Sequence, residues 1–235
     1  MRVTMIGHST VLIEAAQKRI LTDPYFGTWG NPAYRRIAPP FKTREDLQHV
    51  DLILVSHNHW DHTDRKFFRS LAGDVPVVAP RGSAWLTRLK GARKVVGLGK
   101  WEQKTFGPLV ITAVPALHVA LARGFVVTAE GRNLYFAGDT YYRDFMQEIG
   151  RRFRLDVALI PVATFRIPMT MGEDGAVKAV RVLSAKTVIP IHLGIIPRNP
   201  ALRRNESAER FAQRVGAADL GAEVRILREG DQWEC

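Results

Sequence analysis

His57, His59, Asp61 and His62 place three imidazoles and a carboxylate within six positions, in Ser56-His57-Asn58-His59-Trp60-Asp61-His62. Neutral imidazole nitrogens and carboxylate oxygens are the donors that bind zinc and comparable divalent cations. The chain has only 7 histidines, so three in one short segment form a concentration. A solvated polar loop is the plain alternative, and it leaves that concentration unexplained. Immediately before the segment, Leu52 to Ser56 make an apolar, partly branched run, which predicts a strand buried on both faces. A strand ending there would deliver all four groups from one tight turn.

The segment resembles the signature of the metallo-β-lactamase superfamily, and residues downstream suit that family's ligand set. His118 follows the apolar run Leu109–Ala116, Asp139 stands in Ala137-Gly138-Asp139-Thr140, and His192 ends the run Val188–Ile191. Each stands at the end of an apolar run, so one edge of a sheet would collect them. The resemblance implies His57, His59 and His118 on a first metal ion, Asp61, His62 and His192 on a second, and Asp139 bridging both. Two divalent ions are therefore expected, with zinc, manganese or iron acceptable to such donors. The implied fold is α/β, the four-layer αββα sandwich of two mixed β-sheets flanked by helices. Hydroxide held between two ions would be the nucleophile, so the expected reaction is hydrolysis. Asp61 and His192 are the catalytic candidates, Asp61 both as ligand and as acceptor of a proton from water.

A narrower resemblance rests on Gly7-His8-Ser9-Thr10-Val11-Leu12-Ile13-Glu14, Thr22-Asp23-Pro24 and the two ligand motifs. Together these look most like N-acylphosphatidylethanolamine phospholipase D-like proteins, which are phosphodiesterases, and like ascorbate-phosphate lactonase-like proteins. By that resemblance Asp23 accepts a hydrogen bond from the far nitrogen of a ligating histidine; an ordinary Asp-Pro turn is the alternative. His8 either lines the pocket or is a hydrogen-bonded histidine at a turn. Such relatives tend to carry a histidine just before the methionine near Met171, where it can meet a substrate phosphate; here Thr170 stands in its place. Phosphodiester hydrolysis of a small anionic substrate is the leading expectation, with Arg36 and Arg166 as loop cations for the developing charge. Lactone or carboxylic ester hydrolysis is the alternative. A nuclease or a non-catalytic metal-binding protein is the reading from another class, although no dedicated nucleic-acid module is visible.

The elements that must hold these residues read as one α/β domain over residues 1–235. At 235 residues and 46% hydrophobic, the chain can bury a proper core. Strands are predicted over Val3–Ile6, Thr10–Glu14 and Arg19–Thr22, then alternating helices and strands from Asp64 to Leu98. Leu109–Ala113, Gly124–Ala129 and Asn133–Ala137 read as antiparallel strands, followed by a helix over Tyr141–Arg151 and a strand over Leu155–Ile160. A helix from Met171 to about Ser184, the strand Thr187–Ile191, a helix over Ser207–Val215 and an edge strand Glu223–Leu227 complete the chain. Tyr25 to Phe41, with Trp29 and Tyr34 among its aromatics, reads as a long loop that covers the site or forms a dimer surface. His49 reads as a surface residue.

The charge is +11, with 34 Lys and Arg against 23 Asp and Glu. The arginines are scattered, so most read as solvated surface, while an anionic substrate remains compatible. No apolar run approaches the ~20 residues of a membrane-spanning helix. The single cysteine, Cys235, excludes an internal disulfide, and with no secretory leader at the start the expected location is cytoplasmic. A homo-oligomer is left open.

Overall fold

A computed structural model describes residues 1–28 and 30–235; Trp29, one of the loop aromatics, lies outside them. The first half runs β1 (Arg2–Gly7), β2 (Thr10–Ala15), β3 (Lys18–Thr22), β4 (Tyr34–Arg36), β5 (Leu52–Leu54), α1 (Arg65–Ser70), β6 (Pro76–Pro80), α2 (Ala84–Leu89) and β7 (Lys94–Leu98). It continues with β8 (Gln103–Phe106), β9 (Leu109–Pro115), β10 (Arg123–Ala129), β11 (Arg132–Phe136), α3 (Phe145–Arg152) and β12 (Val157–Pro161). Then come α4 (Gly172–Leu183), β13 (Thr187–Ile191), β14 (Ile195–Pro197), α5 (Ala208–Ala217), β15 (Glu223–Val224) and β16 (Gln232–Glu234). One sheet has the order β16-β1-β2-β3-β5-β6-β7 and the other β15-β13-β12-β11-β10-β9-β8. Each is antiparallel on one side and parallel on the other.

Side-chain alternation sorts the layers. Leu52 and Leu54 of β5 meet Leu134 and Phe136 of β11 and Leu159 of β12 between the sheets. Ile53, with Val55 just beyond the strand, faces the other way, onto Phe67 and Phe68 of α1. Tyr135, Ala158 and Ile160 point outward from the second sheet and are covered by Met146 and Ile149 of α3, Ala176 and Val180 of α4, and Phe211 of α5. Two mixed sheets lie between two helical layers, as the resemblance implied. A continuous apolar run on a strand was the sequence sign of this arrangement, because both faces of the central strands are buried.

All five expected helices form, with shifted ends. Asp64 caps α1 by accepting from Lys66 N and Phe67 N at 2.9 and 3.0 Å. The helix expected from Tyr141 starts at Phe145 instead. The Tyr141 amide donates to the Leu117 carbonyl and its hydroxyl to the Pro168 carbonyl, so this residue ties loops together. The expected strand Glu223–Leu227 shortens to β15, and the chain then crosses to form β16 against β1, with Arg2 opposite Glu234. Within the long loop, β4 pairs with β14, Ile195 opposite Arg36. Among the described residues no helix is long and apolar enough to cross a membrane.

Candidate metal centre

Five turns converge at one edge of the two sheets. The turn after β5 carries His57, His59, Asp61 and His62; those after β9, β11 and β13 carry His118, Asp139 and His192; the turn after β3 carries Asp23. The structure brings all seven expected ligand residues together. His57, His59 and His118 offer atoms within 4.8 Å of one another, and so do Asp61, His62 and His192. Asp139 lies against the second group, its Oδ2 3.1 Å from His192 Nε2 and 3.4 Å from His62 Nε2, while its Oδ1 has no partner.

Four of the five rings are aimed by a hydrogen bond on the other nitrogen. His118 Nδ1 donates to the Met169 carbonyl at 2.9 Å, and His192 Nδ1 to the Ala163 carbonyl at 3.1 Å. His62 Nδ1 donates to Asp23 Oδ2 at 2.6 Å. His57 Nδ1 donates to Ser56 Oγ at 3.0 Å, and that hydroxyl donates to Asp23 Oδ2 at 2.5 Å. Asp23 Oδ1 accepts the Ser56 amide at 2.6 Å. Fully buried Asp23 therefore reaches one histidine of each group, His62 directly and His57 through Ser56. The tautomers this fixes leave Nε2 of His57, His62, His118 and His192 as lone pairs facing inward.

Those lone pairs are a test of whether a cation fits. Nε2 of His57 and of His62 and Oδ1 of Asp139 are buried with no hydrogen-bond partner. His118 Nε2 sits 3.2 Å from His59 Nδ1. Unpaired buried acceptors are expensive unless something positive lies between them. The electrostatics agree. Burial pushes the His62 imidazole down, yet Asp139, Asp61 and Asp23 outweigh it and raise it well above the ordinary range. For Asp139 burial raises the carboxyl, but His192 and His62 hold it well below the ordinary range. His118 is held down to about 4, chiefly by burial. The carboxylate side of the site stabilises positive charge and the three-histidine side presents neutral imidazoles, the state a metal ligand requires. The residues fit a divalent-metal centre.

A cavity of about 190 Å³ opens onto this edge, lined by Tyr34, Trp60, Phe165, Met169 and Ile195 together with His59, Asp61, Asp139 and His192. Tyr34 packs its ring 5.1 Å from Phe165 and 6.1 Å from Trp60. The two cations expected to face substrate do not line it. Arg36 is buried and donates to the Ala38, Tyr25 and Gly27 carbonyls, so it braces the long loop from within. Arg166 lines a separate charged cavity with Arg203, Arg204, Arg210 and Arg214. Thr170 is buried too, and its hydroxyl donates to the Ala163 carbonyl at 2.7 Å, the same carbonyl that holds His192. Its role is to brace that loop. His49 is exposed, as expected. Sequence reasoning missed Ser56, although it adjoins His57, and missed the carbonyls of Ala163 and Met169, which have no side-chain signature.

A family model described as a β-lactamase superfamily domain matches residues 18–193. A UPF0173 metal-dependent hydrolase of Archaeoglobus fulgidus is 31% identical over 257 residues, covering 100% of this chain and 99% of that one. Igni18, a metallo hydrolase of Ignicoccus hospitalis, superposes with a TM-score of 0.80 at 25% identity, over 100% of this chain and 98% of that one. An isothiocyanate hydrolase from Delia radicum gut bacteria shares the fold, with a TM-score of 0.84 at 20% identity over 100% and 99% of the two chains. By the family model and by full-length likeness, the chain belongs to the metallo-β-lactamase superfamily, among its metal-dependent hydrolases.

Proposed function

We propose that this chain hydrolyses a small, uncharged acyl compound, a lactone or short carboxylic ester, at a centre of two divalent ions. The observation that carries the substrate class is the cavity wall. Tyr34, Trp60, Phe165, Met169 and Ile195 surround the ligand cluster, and neither lysine nor arginine is among the lining residues. A phosphodiester brings a negative charge and gains more on its equatorial oxygens as it reacts, so a site built for it normally adds arginine or lysine clamps. The chain's excess of arginine sits elsewhere, partly in the separate charged cavity. Volume supports the same reading. About 190 Å³ is below the ~300–1,000 Å³ of pockets for drug-sized ligands, so one ring or a short chain fits.

His57, His59 and His118 would hold the first ion, Asp61, His62 and His192 the second, and Asp139 both. When bound, the ions supply an acidified water near neutral pH and polarise the carbonyl under attack. The chain's own residues do the rest. Asp61 presents a carboxylate at the cavity edge, within reach of a proton released by the attacking water. Asp23, Ser56, Ala163 and Met169 fix four of the five rings, so that those imidazoles need not reorient during turnover. The aromatic wall excludes bulk water and packs the acyl substituent against the reacting carbon.

Elemental analysis of protein purified without chelator should approach two ions per chain; a value near zero after supplying metal refutes the centre. With metal loaded, kcat/KM for small lactones and short esters should exceed that for bis-p-nitrophenyl phosphate by more than tenfold, ~1.4 kcal/mol of transition-state preference. The reverse ranking would return the assignment to phosphodiester hydrolysis, which the sequence resemblance placed first.

A further inference from the structure

The hairpin between β1 and β2 closes with Gly7 opposite Thr10, so His8 and Ser9 form its two-residue turn. His8 lies in the left-handed region, with φ +61°. Outside glycine this conformation is uncommon, and asparagine, aspartate and histidine are the residues that adopt it most readily. The His8 carbonyl accepts the amide of His192 at 3.2 Å, and a side chain on Gly194 would run into the His8 backbone. The turn is thus locked onto the turn that delivers His192.

This lock aims the His8 ring at the second group of ligands. Its side chain is fully buried, and Nε2 lies 3.5 Å from Asp61 Oδ2. The ring centre is 4.4 Å from that of His192 and 5.4 Å from that of His62. Neither ring nitrogen has a hydrogen-bond partner. His8, Asp61, His62 and His192 each offer one ligand atom, all within 4.8 Å of one another. Donors on opposite sides of a single ion stand about 4 Å apart, twice a bond length of ~2.1 Å. Four donors this close suit one ion. Unlike the other four inward-facing Nε2 rings, His8 has no hydrogen-bond partner on its far nitrogen; its backbone fixes it instead.

We propose that His8 Nε2 is a ligand of the second ion, an inference that rests on the two-ion reading above. The second ion would then have three imidazole nitrogens, Asp61 and Asp139, five protein donors with one place left for water. The first ion keeps three histidines and a shared carboxylate. Six mixed nitrogen and oxygen donors suit manganese, iron, cobalt or nickel, while the four-donor set suits tetrahedral zinc. The two positions would therefore select different metals.

The test is a crystal structure of the full wild-type chain loaded with zinc and manganese, with anomalous data at both edges, beside calorimetric titration of the wild type, His8→Asn and His8→Gly. Both substitutes tolerate a φ of +61°. His8 Nε2 should lie ~2.1 Å from the second ion. Each variant should bind the first ion as the wild type does and the second at least tenfold more weakly. An Nε2 more than about 3 Å from the ion, or a second affinity within threefold of wild type, overturns the proposal, including the case in which His8 only orients Asp61. If the wild type itself takes up a single ion, the two-ion reading fails and His8 with it. Two wild-type ions with no bond to His8 refute His8 alone.

Discussion

Asparagine at position 23 should damage the metal centre more than alanine does, although it is the smaller chemical change. Asp23 Oδ2 accepts His62 Nδ1 at 2.6 Å and the Ser56 hydroxyl at 2.5 Å, and Oδ1 accepts the Ser56 amide. In Asp23→Asn the amide oxygen can keep the Ser56 amide, which leaves an NH2 facing two groups that also donate. His62 can accept from that NH2 only by moving its own proton from Nδ1 to Nε2. Nε2 is the atom aimed at the second ion, and a protonated nitrogen is no ligand. Lost orientation alone costs ~10–100-fold in affinity or activity. A wrong tautomer should reach or exceed the upper end, ~2.7 kcal/mol at 1.36 kcal/mol per tenfold. Asp23→Ala leaves three buried donors unmet at about 1–3 kcal/mol each, so its loss should fall mainly on folding stability. Calorimetric titration of the second ion and urea unfolding of the metal-free chain separate the two effects. If Asp23→Asn binds the second ion within threefold of wild type, the tautomer argument is wrong.

Asp61→Ala should lose far more kcat than Asp23→Ala, because it removes a carboxylate from the reaction itself; equal losses would show that Asp23 does more than orient. Gly138 has φ +58°, and a Cβ there would overlap the Ser56 side chain, so Gly138→Ala should lower stability by about 3 kcal/mol in urea unfolding and weaken both ions. An unchanged unfolding midpoint refutes this. For Asp156, burial raises the carboxyl, but hydrogen bonds from Lys186 at 2.7 Å and from the Asn133 amide outweigh it and hold it below its ordinary value. A depressed folded value means the contribution is present above the unfolded pKa of ~3.9 and is lost as pH falls below it. Asp156→Asn should therefore flatten the decline in stability between about pH 5 and 3, and an identical acid limb would count against it.

The candidate ligand set was legible because four of its members crowd the turn after one apolar run and the other three each follow an apolar run of their own. Runs such as Leu52–Leu54 and Thr187–Ile191 mark strands buried on both faces, and strand ends are where a sheet edge presents side chains. Weak elements escaped. β8 is polar and mostly exposed, and β16 is three residues of an edge strand that form only because β1 has a free side. Arg36 was misread because a charge in a loop looks available for substrate in sequence, whereas here it satisfies buried carbonyls, a need that only the folded chain creates. The cavity wall gathers Tyr34, Trp60, Phe165 and Ile195 from four separate segments, so no local pattern could announce it.

The segment between β12 and α4 combines two tasks, holding ligand rings and walling the cavity. Ala163 holds His192 and Met169 holds His118, while Phe165 between them supplies the cavity wall. Thr164 ties the stretch together, its hydroxyl accepting the Met169 amide, and Glu206 anchors it from the turn before α5. Insertions or backbone changes here would reshape the wall and disturb one histidine from each ligand group together. Evolution toward a new substrate by that route carries a penalty in metal retention. Tyr34 and Trp60 flank the same cavity without hydrogen-bonding to any ligand side chain, so they form the more evolvable half of the wall, where specificity can drift while the inorganic chemistry stays intact.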